Sequence, residues 1–266
     1  MLELYHNDMS VCAQKVRIVL AEKKLKWKDH HLNLFKGEAR TDKYKKLNPN
    51  GVVPTLVTES GEIIIESTVI TEYLDEVFPS PPLRPKKPYL TAIMRLWTKQ
   101  LDEGVHVSTV SVSNAIAFRY LHVEGRSEAE IKKHFDGIPD PVRRERLWDL
   151  TMNGTKSKYF SNAIFRFEKL FTDMDITLEE NEWLAGSNYS LADIAFTPYI
   201  TRFDHLNLMG LFDKRPYLLK WYDRIRKRDS YKVAIENWLD DSIISLMSEK
   251  GRGALPEVRQ ILDKNL

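Results

Sequence analysis

A serine and the only cysteine of the chain, Ser10 and Cys12, lie two residues apart near the start of a predicted helix. A hydroxyl group and unpaired backbone N–H groups at a helix N-terminus stabilise an anion, so a thiol bound there would have a depressed pKa. A fall of about two pKa units corresponds to roughly 2.7 kcal/mol and converts a mostly protonated thiol into a mostly ionised one. We therefore predict thiolate chemistry at Ser10. The alternative is that Ser10 only caps the helix.

A second candidate site is the segment NPNGVVP at residues 48–54. The residue before a proline is driven into an extended conformation, so Val53 can offer its backbone N–H and C=O to an extended peptide, as a sheet edge does. Pro54 fixes the turn, and a cis Val53–Pro54 bond would explain a proline directly before a strand. The segment is predicted to bind the backbone of a peptide.

The pair Glu66-Ser67 opens the next predicted helix. Backbone N–H groups and the positive end of the helix dipole attract a carboxylate near Ser67, and Glu66 can bind an ammonium group beside it. The two charges of an amino acid would be matched, which suits the γ-glutamyl end of glutathione. The alternative is a helix cap next to a surface glutamate, but the proline turn just upstream favours the ligand site.

Cys12 has two interpretations. A single cysteine provides no internal disulfide framework and no thiolate-rich zinc site, which fits a reducing compartment such as the cytoplasm, and we predict no metal site. Cys12 can be a small core residue on an apolar stripe with Val16, Val19 and Leu20. It can instead be a second nucleophile that forms a mixed disulfide with glutathione, because the first turn of a helix lowers a thiol pKa.

The elements that position these residues follow from periodicity. Residues 2–5 predict a strand before the first helix, and Gly61 separates residues 55–58 from residues 62–65 in a predicted hairpin. The helix that starts at Ser67 should stop at Phe78-Pro79. Farther along, apolar stripes at helical spacing predict a helix bundle; they comprise Leu90, Ile93, Met94, Trp97 and Leu101, and then Phe160, Ile164, Phe167 and Phe171.

The domain boundary is marked by composition. Residues 78–88 contain five prolines and three charged side chains and predict a semi-rigid linker. We predict a glutathione-binding domain over residues 1–79, a linker over 80–89, a helical domain over 90–250 that contributes the hydrophobic acceptor site, and a tail over 251–266. The tail can be a short helix or disordered.

Two further segments of the helical half stand out. Residues 124–154 are charged and broken by prolines and glycine, and their length predicts either a cover over an acceptor pocket or a solvated excursion. Met9, Val11, Tyr120 and Trp148 are candidates to line such a pocket. Ser190 and Asp193 form a variant capping box, which predicts the start of a buried helix rather than a catalytic site.

Composition limits the function classes. The chain has 266 residues, 42% of them hydrophobic, enough for a sizeable core, and its net charge of +2 gives no reason to expect a nucleic-acid partner. Charged residues interrupt the first ten positions, so no signal peptide is predicted, and no apolar stretch is long enough to span a membrane. These features predict a cytoplasmic protein.

The motifs together resemble the thioredoxin-like half of glutathione S-transferases, on SVCAQKVR at residues 10–17, NPNGVVP at 48–54 and ES at 66–67. MRLWTK at 94–99, LDE at 101–103 and IPDP at 138–141 further resemble bacterial glutathione-dependent β-etherases. The resemblance implies a thioredoxin-like α/β domain followed by an all-α domain, glutathione as co-substrate and a homodimer. It also implies that Ser10 assists the thiol, that Val53 pairs with the cysteinyl backbone, and that Glu66 and Ser67 hold the γ-glutamyl end.

We therefore predict a glutathione transferase whose thiolate attacks a hydrophobic, aromatic small-molecule electrophile, with a β-aryl ether as the first specific substrate. The Ser-x-Cys spacing of Ser10 and Cys12 is also similar to reductive dehalogenases of chlorinated hydroquinones, in which the cysteine does covalent work. A reductive dehalogenase or thiol transferase that depends on Cys12 is thus one alternative. Against it, the segment QKVR at residues 14–17 resembles many serine-type family members, some of which have weak or no transferase activity. A non-catalytic binding protein is the other alternative.

Overall fold

The computed structural model of the chain describes residues 1–263, which form a small mixed sheet with helices and then a mostly helical half. The four strands lie in the order β2-β1-β3-β4, with β1 at Leu2–His6, β2 at Trp27–His31, β3 at Thr55–Val57 and β4 at Ile63–Ile65. β1 pairs in parallel with β2 and antiparallel with β3, and β3 pairs antiparallel with β4. The predicted first strand and hairpin are confirmed.

Three helices belong to the sheet half: α1 at Val11–Glu22, α2 at Asp42–Lys45 and α3 at Ser67–Val77. α1 is the crossover that two adjacent parallel strands require. It buries Val16, Val19 and Leu20, as its apolar stripe predicted. α3 ends at Val77, directly before the predicted stop at Phe78-Pro79. The predicted α/β thioredoxin-like architecture is confirmed.

The remainder of the described chain is helical, as the apolar stripes predicted. Phe160, Phe167 and Phe171 are fully buried. Wider turns over Leu101–Val105 and Asn114–Phe118 interrupt the helices on either side of α5. The helices are α4 at Pro88–Gln100, α5 at His106–Ser113, α6 at Arg119–Val123, α7 at Glu128–Asp136, α8 at Pro141–Asn153, α9 at Lys158–Glu180, α10 at Leu191–His205, α11 at Pro216–Arg226, α12 at Asp229–Ala234 and α13 at Asp241–Asp263.

The start of α10 is held by the predicted capping box. The Ser190 hydroxyl accepts a hydrogen bond from the N–H of Ala192, and the Asp193 carboxylate accepts one from the N–H of Ser190 at 3.0 Å. The second carboxylate oxygen of Asp193 accepts hydrogen bonds from the N–H of Leu184 and from Trp221 Nε1, both at 2.9 Å. Because Asp193 is fully buried, it holds together the three segments that surround it.

The proline-rich segment is fixed to both halves. The buried Lys23 Nζ donates hydrogen bonds to Asp75 at 2.8 Å and to the carbonyl of Pro81 at 2.9 Å. The carbonyl of Leu83 accepts a hydrogen bond from the N–H of Leu191 at 2.8 Å. α4 begins at Pro88, two residues before the predicted start of the helical domain at residue 90.

The chain end departs from the predicted tail. α13 continues through residue 251 without a break, so residues 251–263 belong to a long helix, whereas residues 264–266 lie outside the described part. Gly251 makes this packing feasible, since a Cβ there would lie 1.7 Å from the carbonyl oxygen of Leu206. Among the helices within residues 1–263, none is long and apolar enough to cross a membrane.

Candidate active site

Three of the predicted motifs meet at one edge of the sheet. Tyr5, near the end of β1, pairs with Thr55 at the start of β3, and Thr55 pairs with Ile65 at the end of β4. The loop after β1, the Val53-Pro54 turn before β3 and the Glu66-Ser67 pair after β4 therefore leave the sheet from adjacent strand ends. Segments far apart in sequence are brought into one neighbourhood.

Ser10 is the N-cap of α1. Its hydroxyl accepts a hydrogen bond from the N–H of Ala13 at 3.3 Å, which leaves the hydroxyl hydrogen free to be donated to a bound group. The side chain is partly exposed and lines a cavity of the described chain. Capping and a role in thiol chemistry are therefore compatible for this residue, and its role in thiol chemistry stays a prediction.

The Val53–Pro54 peptide bond is cis, as the sequence suggested for a proline directly before a strand. The turn is anchored from behind, because the Tyr44 hydroxyl and the Asn48 side-chain amide both donate hydrogen bonds to the carbonyl of Val52, at 2.7 and 2.9 Å. Val53 lines the same cavity as Ser10. The turn is thus held in a fixed conformation at the cavity.

Glu66 and Ser67 lie just beyond β4. Ser67 is the first residue of α3 and is buried, while Glu66 is exposed and has a positive φ of 69°. This conformation is uncommon for residues other than glycine and often occurs at ligand sites. It turns the chain sharply from the strand into the helix. Neither residue lines the cavity, so the proposed γ-glutamyl site lies beside the cavity rather than in it.

The cavity lies between the sheet half and the helical half. From the sheet half, its lining includes Met9, Ser10, Val11 and Val53, so two of the four predicted lining residues are present and Tyr120 and Trp148 are not. The helical half contributes apolar side chains, of which Val110, Phe118, Phe135, Ile138 and Leu147 are examples. Phe135, Ile138 and Leu147 belong to the segment 124–154, which therefore covers one side of the cavity.

Cys12 lies in a polar cluster, although it also packs against the apolar core. Its Sγ is 3.5 Å from Nδ1 of His106 and 3.9 Å from the hydroxyl of Tyr199. Burial alone would raise the pKa of the Cys12 thiol, but the charges of His106 and Lys15, with hydrogen bonds from His106 and Ser67, lower that pKa to about 6. Packing against the core and a reactive thiolate are thus compatible for Cys12, and its part in catalysis stays a prediction.

His106 connects this cluster to the cavity, because its ring lines the cavity while Cys12 does not. It starts α5, directly after the turn that contains Gly104 at a φ of 131°. A Cβ on Gly104 would lie 3.0 Å from the Arg166 guanidinium. The turn thus needs glycine, and it directs His106 toward α1.

Arg202 on α10 holds the loop that carries Met9 and Ser10. It is buried and donates hydrogen bonds to the carbonyl of Met9 and, at 3.2 Å, to the hydroxyl of Ser113. Burial lowers the pKa of the Arg202 guanidinium to about 10, so it stays charged at neutral pH. The guanidinium lies 4.9 Å from the ring centre of Phe118. The helical half therefore positions the loop on which Ser10 depends.

Arg40, His134 and Arg143 form a group at the covered side of the cavity, which we call the cationic wall. Arg40 donates hydrogen bonds to the carbonyl of His134 at 2.8 Å and to Nδ1 of His134 at 3.0 Å. Burial, with the charges of Arg40 and Arg126, lowers the pKa of His134 to about 4, so its ring is neutral and can accept the bond. All three side chains line the cavity.

His106, Tyr199, Arg202 and the cationic wall were not predicted as site residues. Gly104 was the one local signal for His106, since an isolated glycine within a helical pattern often marks a functional interruption. The other side chains lie on regular helices or surface turns. Only tertiary packing brings them to the cavity.

Comparison with known proteins identifies the family. Residues 9–77 match the glutathione S-transferase N-terminal domain and residues 148–229 match the glutathione S-transferase C-terminal domain. Protein LigF of Sphingobium sp. strain SYK-6 is 30% identical over 260 residues, covering 94% of this chain and 98% of LigF. The tetrachloro-p-hydroquinone reductive dehalogenase of Sphingobium chlorophenolicum is 26% identical over 89% of this chain and 97% of its own length.

The solved structures agree. The crystal structure of the beta-etherase LigF has a TM-score of 0.79 to this fold at 29% identity, covering 89% of this chain and 99% of that one. Glutathione is the co-substrate of the family whose two domains match here. On both the sequence and the fold, the chain belongs to the glutathione S-transferase family.

Proposed function

We propose that this protein binds glutathione and transfers its sulfur to an electrophilic carbon of a hydrophobic, aromatic substrate. The observation that carries the proposal is the register of β1, β3 and β4, which brings Ser10, the Val53-Pro54 turn and the Glu66-Ser67 pair to one sheet edge. Each matches a different part of one extended tripeptide. The cavity that Ser10 and Val53 share with the helical half would hold the second substrate.

In this proposal, glutathione lies along the sheet edge. Glu66 binds the ammonium and the N-terminus of α3 at Ser67 binds the carboxylate of the γ-glutamyl group. The backbone of Val53 pairs with the cysteinyl residue, as in strand addition. The glycine carboxylate then points toward Gly51 and Arg40, because the Arg40 side chain packs against Gly51.

The thiol would then lie at the N-terminus of α1, beside the Ser10 hydroxyl. That hydroxyl can donate a hydrogen bond to a thiolate and lower its pKa. The thiolate attacks the electrophilic carbon, a carbon–sulfur bond forms, and the bond to the leaving oxygen or halogen breaks with its electron pair. Holding both reactants in one cavity removes a large part of the entropic barrier.

The acceptor is proposed to be bulky and apolar. Phe135, Ile138 and Leu147 of the segment 124–154 cover the cavity and would surround an aromatic ring. The relation to the beta-etherase LigF makes a β-aryl ether the first substrate to test. In that reaction the phenoxide leaves and takes up a proton.

A Cys12-dependent reaction is the second candidate. It is favoured by the contact between Cys12 and His106 and by the low pKa of the Cys12 thiol. The relative that is a reductive dehalogenase gives the reaction class. In it glutathione supplies the electrons, and Cys12 forms a mixed disulfide with one glutathione. A thiolate at Cys12 requires a reducing compartment, so we place the protein in the cytoplasm.

A homodimer is also proposed. Val69 and Val77 on α3 are 56% and 48% exposed, and Tyr89 and Leu96 on α4 are 73% and 59% exposed. Apolar side chains this exposed on neighbouring helices favour a second copy as their cover. Sedimentation equilibrium is expected to give twice the chain mass, and Leu96→Glu should lower it; a monomeric wild type would contradict the dimer.

The test of function is calorimetric titration of glutathione at several values between about pH 6 and 8, with proton release read from buffers of different ionisation enthalpy. Binding with proton release supports thiol ionisation on the protein, and Ser10→Ala should bind glutathione with less release. Turnover of an aryl ether that is lost in Ser10→Ala but kept in Cys12→Ala supports the transferase. The reverse pattern supports the Cys12-dependent reaction, and binding without proton release indicates a non-catalytic binding protein.

A further inference from the structure

The positive charge of the cationic wall is not balanced by carboxylates in the lining of the cavity. Within residues 1–263, no residue that lines the cavity carries a carboxylate, while Arg40, Arg143 and Arg202 all line it. Among the described residues, the guanidinium of Arg143 forms no hydrogen bond and no ion pair within 4.0 Å. Burial lowers its pKa, and the charge of Asp140, which acts from beyond contact distance, offsets this only in part. A partly buried charge without a directly bonded anion is costly unless a ligand supplies one.

The charges in the wall also act on one another. Burial lowers the pKa of the Arg40 guanidinium, and the neighbouring charges of Arg143 and Arg126 lower it further. The hydrogen bonds of the Arg126 guanidinium go to carbonyl oxygens, those of Leu121, His122 and Phe35. Like charges held this close repel each other, so an anion bound between Arg40 and Arg143 would relieve the repulsion.

Bound glutathione accounts for only one such anion. Its γ-glutamyl charges are matched at Glu66 and Ser67 in the proposed function, which leaves the glycine carboxylate for Arg40. Arg143 belongs to α8, within the segment that covers the acceptor side of the cavity. Its neighbours in the lining, Ile138, Pro139 and Leu147, are apolar. The third guanidinium, that of Arg202, already donates hydrogen bonds to the Met9 carbonyl and the Ser113 hydroxyl. Arg143 is therefore the guanidinium on the acceptor side that has no hydrogen-bond acceptor.

We propose that Arg143 binds a carboxylate on the electrophilic substrate, so that the acceptor is an aromatic compound with an anionic end. A guanidinium presents two parallel N–H groups that match a carboxylate, and this geometry would orient the aromatic ring within the cavity. This inference rests on the proposed transferase function and specifies its substrate class. Arg143 is a specificity residue in this account.

The test uses two acceptors of the same shape and reaction type. Chlorodinitrobenzoate carries a carboxylate where chlorodinitrobenzotrifluoride carries a neutral trifluoromethyl group. The kcat/KM of each is divided by its rate with free glutathione thiolate, and the ratio of the two corrected values is compared between variants. We expect the wild type to prefer the carboxylate and Arg143→Gln to lower the ratio by about tenfold, as for loss of a charge-assisted hydrogen bond.

Arg146→Gln is the matched control, because it removes the same charge from the same helix. Arg146 lies 5.6 Å from the ring centre of Tyr159 and does not line the cavity. The ratio should stay at the wild-type value in this variant. Arg143→Lys keeps the charge without the planar fork and should give an intermediate ratio.

An unchanged ratio in Arg143→Gln would overturn the inference. If that variant also bound glutathione roughly tenfold more weakly, Arg143 would be assigned to the glycine carboxylate instead. If neither acceptor is turned over, the proposed transferase function fails. The anion site at Arg143 is then tested separately, by the binding of unreactive dinitrobenzoate to the glutathione-loaded protein. Weaker binding to Arg143→Gln than to Arg146→Gln supports the anion site, and equal binding refutes it.

Discussion

Replacing His106 with glutamine should raise the pKa of the Cys12 thiol by about two to three units. The thiol pKa is lowered from 9.0 to about 6, which corresponds to about 4 kcal/mol in favour of the thiolate. His106 Nδ1 lies 3.5 Å from Sγ, and two unit charges at that distance interact by about 5 kcal/mol at an effective dielectric constant near 20. A positive charge on the His106 ring would thus account for most of the lowering of the Cys12 pKa, against the opposing effect of burial. Lys15 remains in the variant and limits the rise.

The assay is the ultraviolet absorbance of the thiolate, followed between about pH 5 and pH 9. Cys12 is the only cysteine, so the signal belongs to one group, and Cys12→Ser supplies the baseline. The wild type should titrate near pH 6, and His106→Gln should titrate above about pH 8. His134→Gln, which removes another cavity histidine, should titrate like the wild type. A wild-type midpoint near 9.0, or the same midpoint in His106→Gln, would refute the ion-pair explanation.

Two further predictions concern stability. Gly251→Ala should destabilise the fold by about 1–3 kcal/mol in chemical denaturation, because the new Cβ would lie 1.7 Å from the carbonyl oxygen of Leu206. Gly253→Ala, on the same helix, is the control: its Cβ would have no atom within 4 Å, so the substitution should stabilise the fold by about 0.5–1 kcal/mol. Equal effects of the two substitutions would contradict the packing argument. Asp193→Ala should lower the free energy of unfolding by at least about 2 kcal/mol, because the buried N–H groups of the Trp221 ring and of Ser190 lose their acceptor. An unchanged midpoint of denaturant unfolding would show that water replaces the carboxylate.

Local chemistry explains what the sequence predicted well. A proline before a strand, a serine at a helix start and a Ser-x-x-Asp capping box each depend on neighbours within a few residues. The Val53–Pro54 turn, the N-cap at Ser10 and the capping box at Ser190 were accordingly found from the sequence. The positive φ of Glu66 was not, because only glycine reports such a conformation by its residue type.

Contacts between distant segments explain what was missed. Cys12 and His106 are 94 residues apart in the chain. The length of α4 and the turn at Gly104 were not enough to predict from the sequence that the two side chains are in contact. Cys12 alone was therefore open to interpretation as a core residue. The cationic wall unites Arg40 from the sheet half with Arg143 from α8, and single arginines on polar surfaces carry no pattern that predicts a shared site.

The position of α10 has a consequence for recombination between related genes. Tyr199 and Arg202, one helical turn apart, contact Cys12 and the Met9 carbonyl of the other half. A chimera that joins two homologues at the proline-rich segment would inherit these partners from different parents. Crossovers there would separate side chains that must change together, so a productive hybrid would have to transplant residues 199 and 202 along with the first half.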